Sequence, residues 1–328
     1  MKAVVYHQYG SPDVLKLDDI QKPIPGDREV LVKVQAVSIN SWDWDMLTGR
    51  PFEYRFLSGL LKPKSNALHG CDIAGRVEAV GKHVQRFQVG DEVFGDLAEG
   101  GWGAFAEYTC AGETELVLKP VGMTFAEAAC LAHGGNLAVQ GLVDFGRIKP
   151  GQKVLINGGC GSTGTLAIQL AKSFDVEVTG VDRTEKLDMM RTLGADHVLD
   201  YCKNDFTMTG RRYDLIFDVK TTRSVFDYRR VLYPHGAYVT VGGKTSRILE
   251  LILLGKLFKR YRMHMVAYQA NKDSNYLAAL FEAGKIKPVI DTCFPLEETA
   301  DAFRYFGEGR FKGKIVVTLE NINGQAGR

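Results

Sequence analysis

The 328-residue chain is expected to be an α/β protein in two parts, a β-rich N-terminal unit and a doubly wound parallel sheet covered by helices. Three observations predict this. Short strand-like runs between Gly and Pro turns fill the first third. From about Pro150 strands alternate with amphipathic helices. From Ser274 onward two helical segments and one closing strand complete the chain.

In the first third, Val30 to Val34 and Gly75 to Val80 show the partial alternation of strands. Turn signals stand around them at Pro23 to Asp27, Gly81-Lys82 and Gly90-Asp91. Short strands at this spacing suggest a compact barrel-like unit. Farther on, Lys153 to Ile156 reads as a buried strand, and Thr165 to Phe174 as a helix with Leu166, Leu170 and Phe174 on one face. Strand, helix, strand, strand and strand then follow at 176–181, 184–193, 197–199, 213–219 and 237–241, which implies a parallel sheet. Helices are expected at 274–284 and 297–306 and a final strand at 314–319.

Composition excludes several classes. Apolar residues make up 45% and charged residues 24%, ordinary for a globular protein. Lys plus Arg is 41 against 39 for Asp plus Glu, a net charge of +2, and no basic stripe supports a nucleic-acid partner. The six Cys (71, 110, 130, 160, 202, 293) form no C-x-x-C pair, so they read as scattered thiols in a reducing, cytoplasmic setting. The segment from Met1 lacks the apolar core of a signal peptide, and no stretch approaches a membrane span. The most apolar run, 248–258, is broken by Glu250, Gly255 and Lys256 and followed by Lys259, Arg260 and Arg262. It reads as a buried helix with cations at its negative end. The alternative is a helix lying at a membrane interface.

The strongest local signal is the run from Asn157 to Gly164. Gly158, Gly161 and Gly164 are spaced three apart between a strand and a helix. Glycines allow the tight turn and a close backbone approach to a pyrophosphate, and the helix that follows directs its positive end there. Ser162 and Thr163 belong to the same loop. A dinucleotide site is therefore expected. At the end of the second strand Asp182 argues for NAD, by accepting from the ribose. Arg183 and Lys186 argue for NADP, by meeting its 2′-phosphate.

Taken in order along the chain, these blocks resemble the medium-chain dehydrogenase/reductase family, and within it the zinc-free quinone-oxidoreductase branch. The resemblance rests on Met1 to Tyr6, Pro12 to Leu15, Ser38 to Asp43, Gly70 to Val77, Val89 to Gly95, Gly103 to Tyr108 and Leu193 to Asp196. It implies a discontinuous layout, with a GroES-like domain at 1–125 and 268–328 and a Rossmann domain at 126–267. The acceptor is then expected between the two. It also implies a homodimer joined through an edge of the Rossmann sheet. By position, Lys186 and Tyr201 match residues that hold the 2′-phosphate in NADPH-using members, so NADP(H) is favoured with NAD(H) still open. Asp182 departs from that branch. Val241, Gly242 and Gly243 stand where the branch approaches the nicotinamide.

The same resemblance places Asn40, Cys71 and His133 at the three zinc-ligand positions of the family's alcohol dehydrogenases. Asn is a poor zinc ligand, and a four-Cys lobe is missing, so no metal is expected. Cys71 and His133 could still meet a cation, with Asp43 or Asp72 as third ligand. Without a Lewis acid, quinones, enones and other small carbonyl acceptors are easier to reduce than simple alcohols are to oxidise, because hydride addition gives a conjugated oxyanion. The catalytic candidates are Asn40 as an orienting donor, Asp43 beside it, and Tyr54 and His133 as proton donors. Trp42, Trp44, Phe52 and Phe56 could wall a flat acceptor, and 50–66 could act as a lid. A zinc alcohol dehydrogenase and a non-catalytic NADPH-binding sensor are the competing readings.

Overall fold

The structure, a computed structural model, describes residues 1–64, 70–258 and 260–319. It divides into two compact units. One comprises Met1–His133, Ala270–Ala278 and the stretch from Val289; the other comprises Gly134–Gln269 and Ala279–Pro288.

The first part of the chain forms β1 (Lys2–Val5), β2 (Lys16–Asp19), β3 (Glu29–Ser38), α1 (Ser41–Thr48), α2 (Arg55–Ser58), β4 (Asp72–Val80), β5 (Glu92–Asp96), β6 (Tyr108–Gly112), β7 (Leu116–Leu118), α3 (Phe125–Ala129) and α4 (Ala132–Val139). The alternating region forms β8 (Lys153–Asn157), α5 (Ser162–Lys172), β9 (Glu177–Asp182), α6 (Leu187–Thr192), β10 (His197–Asp200), β11 (Tyr213–Asp218), α7 (Val225–Arg230), β12 (Leu232–Thr240), α8 (Thr245–Leu254) and β13 (Arg262–Met265). Then α9 (Ser274–Glu282), β14 (Ile290–Pro295), α10 (Thr299–Glu308) and β15 (Lys314–Thr318) follow.

In the first unit a sheet runs β14-β15-β3-β4-β5-β7, and β6 also pairs with β3. The long strand β3 organises it. Its N-terminal half pairs with β6, its C-terminal end with β15, and β4 lines its other edge. Val30, Val32, Val34 and Val37 are buried there among Tyr6, Phe105 and Phe303. The antiparallel β15–β3 pairing carries the C-terminal strand back to the strand that leads into Asn40.

In the second unit six parallel strands run β10-β9-β8-β11-β12-β13. The order reverses between β8 and β11, the kind of switch point where open α/β sheets bind ligands beyond their C-terminal ends. Val154, Leu155 and Ile156 are wholly buried, as a central parallel strand requires. Tyr228 and Tyr238 stack at 4.1 Å within the core formed by Ile216, Leu232 and Leu251. The architecture is thus the expected α/β combination of a GroES-like β unit and a doubly wound parallel sheet.

Several segments differ from expectation. The sequence run 248–258 does form a helix, but Leu249, Ile252, Leu253 and Leu257 are 53%, 51%, 70% and 69% exposed, so only one of its faces is buried. Leu251 is buried in the core, and Leu254 and Phe258 pack against it half-buried. The stretch expected as an open lid contains a 3-10 turn at Phe52–Tyr54 followed by α2, and 65–66 lie outside the described residues. Strands β1, β2, β5, β6, β7, β13 and β14 are additional to those expected from the sequence. Each is short; among the described residues β2 and β13 pair on one side, while β1 pairs with β2 and also bridges Ala106 through Ala3. No helix among the described residues is long and apolar enough to cross a membrane.

Candidate functional site

The glycine loop forms as its sequence spacing requires. Gly158 has φ +88°, open to glycine alone at little cost. A Cβ on Gly164 would lie 2.1 Å from the Gly158 carbonyl, so this glycine lets α5 start tight against β8. Gly161 is different. A Cβ there would meet nothing nearer than 3.8 Å, so its bare backbone faces open space. Ser162 and Thr163 begin α5, an eleven-residue helix whose first N–H groups have no partner in their own helix. The Ser162 hydroxyl is buried and has no hydrogen-bond partner among the described residues. An orphaned hydroxyl, an open glycine backbone and a helix N-terminus together suit the pyrophosphate of a dinucleotide.

Around this loop stand the adenosine candidates. Asp182 closes β9, with 4% of its surface exposed. Its Oδ2 accepts from the Cys160 backbone N–H at 3.0 Å and its Oδ1 from the Arg183 N–H at 2.9 Å. Arg183 is exposed, and its Nε donates to the Tyr201 hydroxyl at 2.7 Å. Lys186 is buried, and burial, partly offset by Asp182, pulls its ammonium pKa down. At the end of β12, Gly242 and Gly243 have φ values of +137° and +145°. The Gly242 carbonyl accepts from the Thr240 hydroxyl at 3.0 Å and also from Thr221. Sequence reasoning missed the buried Asp218, which accepts from Asn157 Nδ2 (2.8 Å), the Lys220 and Thr221 N–H groups (both 2.9 Å) and the Tyr238 hydroxyl (3.1 Å). It fixes the backbone where β11 ends beside β8.

The first unit holds a separate buried polar network. Lys314 of β15 is 2% exposed. Its Nζ donates to Asp72 Oδ2 at 2.9 Å, Ser38 Oγ at 2.8 Å and Asn40 Oδ1 at 2.5 Å. Asn40 is thereby turned inward: its Nδ2 donates to Asp72 Oδ2 at 3.0 Å and lies 3.2 Å from Cys71 Sγ. Asp43, wholly buried, accepts from the Asn40 N–H at 2.7 Å and the Gly70 N–H at 3.0 Å. Burial pushes its carboxyl up to about 7, against the pull of the Asn40 N–H and Lys314. Burial tends to lower the pKa of Lys314, but the Asp72 carboxylate outweighs it and keeps the group charged.

His133 joins this network by its backbone N–H, which donates to Asp72 Oδ1 at 2.8 Å. Its Nδ1 lies 2.8 Å from Asp96 Oδ2. Burial opposes the imidazolium, yet the Asp96 charge and hydrogen bond outweigh burial and raise the pKa. Trp42 stands 5.4 Å from the His133 ring and 5.6 Å from Trp102. The other expected wall residues are elsewhere: Trp44 packs on Phe306, while Phe52 and Phe56 form an exposed edge-to-face pair. Tyr54 is half-buried, its phenol pushed up by burial and then by Asp45 and Glu53, on its own loop.

One expectation about a cation is corrected. Cys71 and His133 do meet, but the carboxylate that joins them is Asp96, their ligand atoms all within 4.8 Å, and not Asp43 or Asp72. Asp43 and Asp72 are spent on Asn40, Gly70, Lys314 and the His133 N–H. One feature fits zinc poorly: the Asn40 amide turns N–H groups rather than a lone pair toward Cys71 and Asp72. Burial, with Asp96, Asp43 and Asp72 nearby, also holds the Cys71 thiol well above its usual pKa.

Comparison with known proteins agrees with this architecture. Residues 26–121 match the family described as alcohol dehydrogenase GroES-like domain, and residues 193–317 match the zinc-binding dehydrogenase family. The 2-methylene-furan-3-one reductase of Solanum lycopersicum is 32% identical over 97% of this chain and 79% of its own length. The chloroplastic NADPH-dependent alkenal/one oxidoreductase of Arabidopsis thaliana is also 32% identical, with the same coverage. Among solved structures, the quinone oxidoreductase from Coxiella burnetii superposes with a TM-score of 0.88 at 29% identity, over 98% of this chain and 99% of that one. The chain belongs to the medium-chain dehydrogenase/reductase family and is quinone-oxidoreductase-like within it.

Proposed function

We propose that the protein is an NAD(P)H-dependent oxidoreductase of the quinone-reductase kind, reducing a quinone, an enone or another small carbonyl acceptor without a metal. The observation that carries this is the Gly158–Gly164 loop, with its orphaned Ser162 hydroxyl opening α5, in a chain of this family. A bound nicotinamide dinucleotide supplies the hydride. Gly158, Gly161, Ser162, Thr163 and Gly164 hold its pyrophosphate. Arg183, Lys186 and Tyr201 face the adenosine end, and Val241, Gly242 and Gly243 the nicotinamide end. The Arg183–Tyr201 pair supports NADPH over NADH.

Among the acceptor-side candidates, His133 is favoured as the proton donor, because Asp96 supports its charged form. Asn40 and Asp43 act behind it. Both are buried with their polar atoms turned to neighbours in the network. Tyr54 is a weaker candidate, since burial and the nearby Asp45 and Glu53 all make its phenol harder to ionise. Trp42 and Trp102 offer flat apolar surface beside the imidazole. The inward amide of Asn40, which offers N–H groups where a metal ligand would stand, supports a metal-free reaction. The domains are taken as 1–125 with 268–328, and 126–267. Six free thiols fit a reducing compartment such as the cytosol.

The test is cofactor oxidation by purified protein, with NADPH and NADH separately, against quinones, enones and simple aldehydes. Turnover of quinones or enones that survives a chelator is expected, faster with NADPH. Turnover of only alcohols and aldehydes, lost on chelation, would make the Cys71–Asp96–His133 group a zinc site. Binding without turnover of any acceptor would make the protein a sensor.

A further inference from the structure

We propose that Asp182 is a positioning residue that anchors the phosphate loop to the end of β9, and not the group that reads the adenosine ribose. This rests on the cofactor reading above. An acid at this point of a βαβ unit is ordinarily taken to accept from the ribose hydroxyls and so to select NAD. Here both carboxylate oxygens accept backbone N–H groups instead, one from Cys160 inside the loop and one from Arg183. The side chain has almost no exposed surface from which to meet a sugar.

The loop is fastened at the same place by other bonds. The N–H groups of Gly158 and Gly159 donate to the Val181 carbonyl at 2.9 and 3.2 Å. Cys160 Sγ lies 3.0 Å from the Lys186 carbonyl. Three successive loop residues are thus held to the β9 end, and Cys160, wholly buried, has the Asp182 carboxylate as its backbone acceptor. Without that acceptor its N–H would lose a buried, charge-assisted hydrogen bond. The groups that do face outward here are the exposed Arg183 guanidinium and the Tyr201 phenol it touches. A 2′-phosphate would meet a cation first and the carboxylate behind it. The acid therefore does not exclude NADPH.

Asp182→Ala and Asp182→Asn decide this by equilibrium titration of NADPH and NADH, read by nicotinamide fluorescence. Asp182→Ala is expected to weaken both cofactors alike, by about tenfold or more, as loss of one buried bond implies. Asp182→Asn, whose carbonyl can still accept from Cys160, recovers most of that affinity. In both variants the NADPH-to-NADH affinity ratio stays near that of the wild type. A loss confined to NADH, or a gain for NADPH, overturns the proposal, as does unchanged affinity for both. Amide hydrogen exchange of residues 158–164, measured without cofactor, gives an independent readout. Faster exchange in Asp182→Ala supports the anchor, and unchanged exchange overturns it. Should the wild type bind neither cofactor, the cofactor reading fails while the exchange result still decides the anchor.

Discussion

Lys314 shows how much depends on a single side chain. An ammonium that is 2% exposed is tolerable only because Asp72, Ser38 and Asn40 surround it. Lys314→Met removes the cation and leaves the Asp72 carboxylate buried without a counter-charge. The expected cost is about 3–5 kcal/mol of stability, measured by thermal or urea unfolding. Asp72→Asn in the same chain should relieve part of it, because the two changes are coupled. A fully additive double variant would mean that the pair does not act as a unit. The sequence held a signal for Lys314, a lysine opening the otherwise apolar run Lys314 to Val317, yet nothing in that run named its partners. Those partners are supplied by β3 and β4, more than two hundred residues away along the chain. Asp96 escaped notice for the same reason: its role comes from His133, and only folding brings the two together.

At the scale of one element, the strand–loop–helix around Gly158 to Gly164 was legible because the signals that mark it are local. Alternation, glycine spacing and helix onset all lie within a few residues of one another. The structure adds that its glycines are not equivalent. Gly164→Ala would press a methyl onto the Gly158 carbonyl, so it should lower stability and abolish cofactor binding together. Gly161→Ala meets no such obstacle, and its φ of −79° suits alanine. Its thermal midpoint should stay near that of the wild type, while its cofactor affinity falls about tenfold, read by fluorescence titration. Equal stability losses in both variants would mean that Gly161 is needed for the turn rather than for the approach of a phosphate. Helix α8 teaches the opposite lesson. Its apolar residues were read as buried, yet a run of leucines does not say how many of its faces have neighbours.

At the scale of the whole molecule, the exposed face of α8 and the free edge of β13 bear on assembly. Among the described residues β13 pairs only with β12, and Leu249, Ile252, Leu253 and Leu257 lie exposed on the segment just before it. An open strand edge beside an apolar patch is costly to leave in water. The expected state is a homodimer that covers both. Light scattering should give twice the mass of one chain, and Leu253→Glu should shift it toward the monomer. An unchanged dimer in that variant would place the contact elsewhere.

The sequence by itself determined the α/β class, the alternation of the second unit, the glycine loop between β8 and α5 and the family. These depend on local periodicity or on blocks read in order. Only the tertiary structure decided which polar groups face each other. It turned Asn40 inward against Lys314 and Asp72, gave His133 to Asp96, and set Asp182 against the Cys160 backbone. A buried charge must be matched by whatever the fold brings beside it, and that partner is chosen by strand pairing and packing across long separations, not by neighbours in the chain.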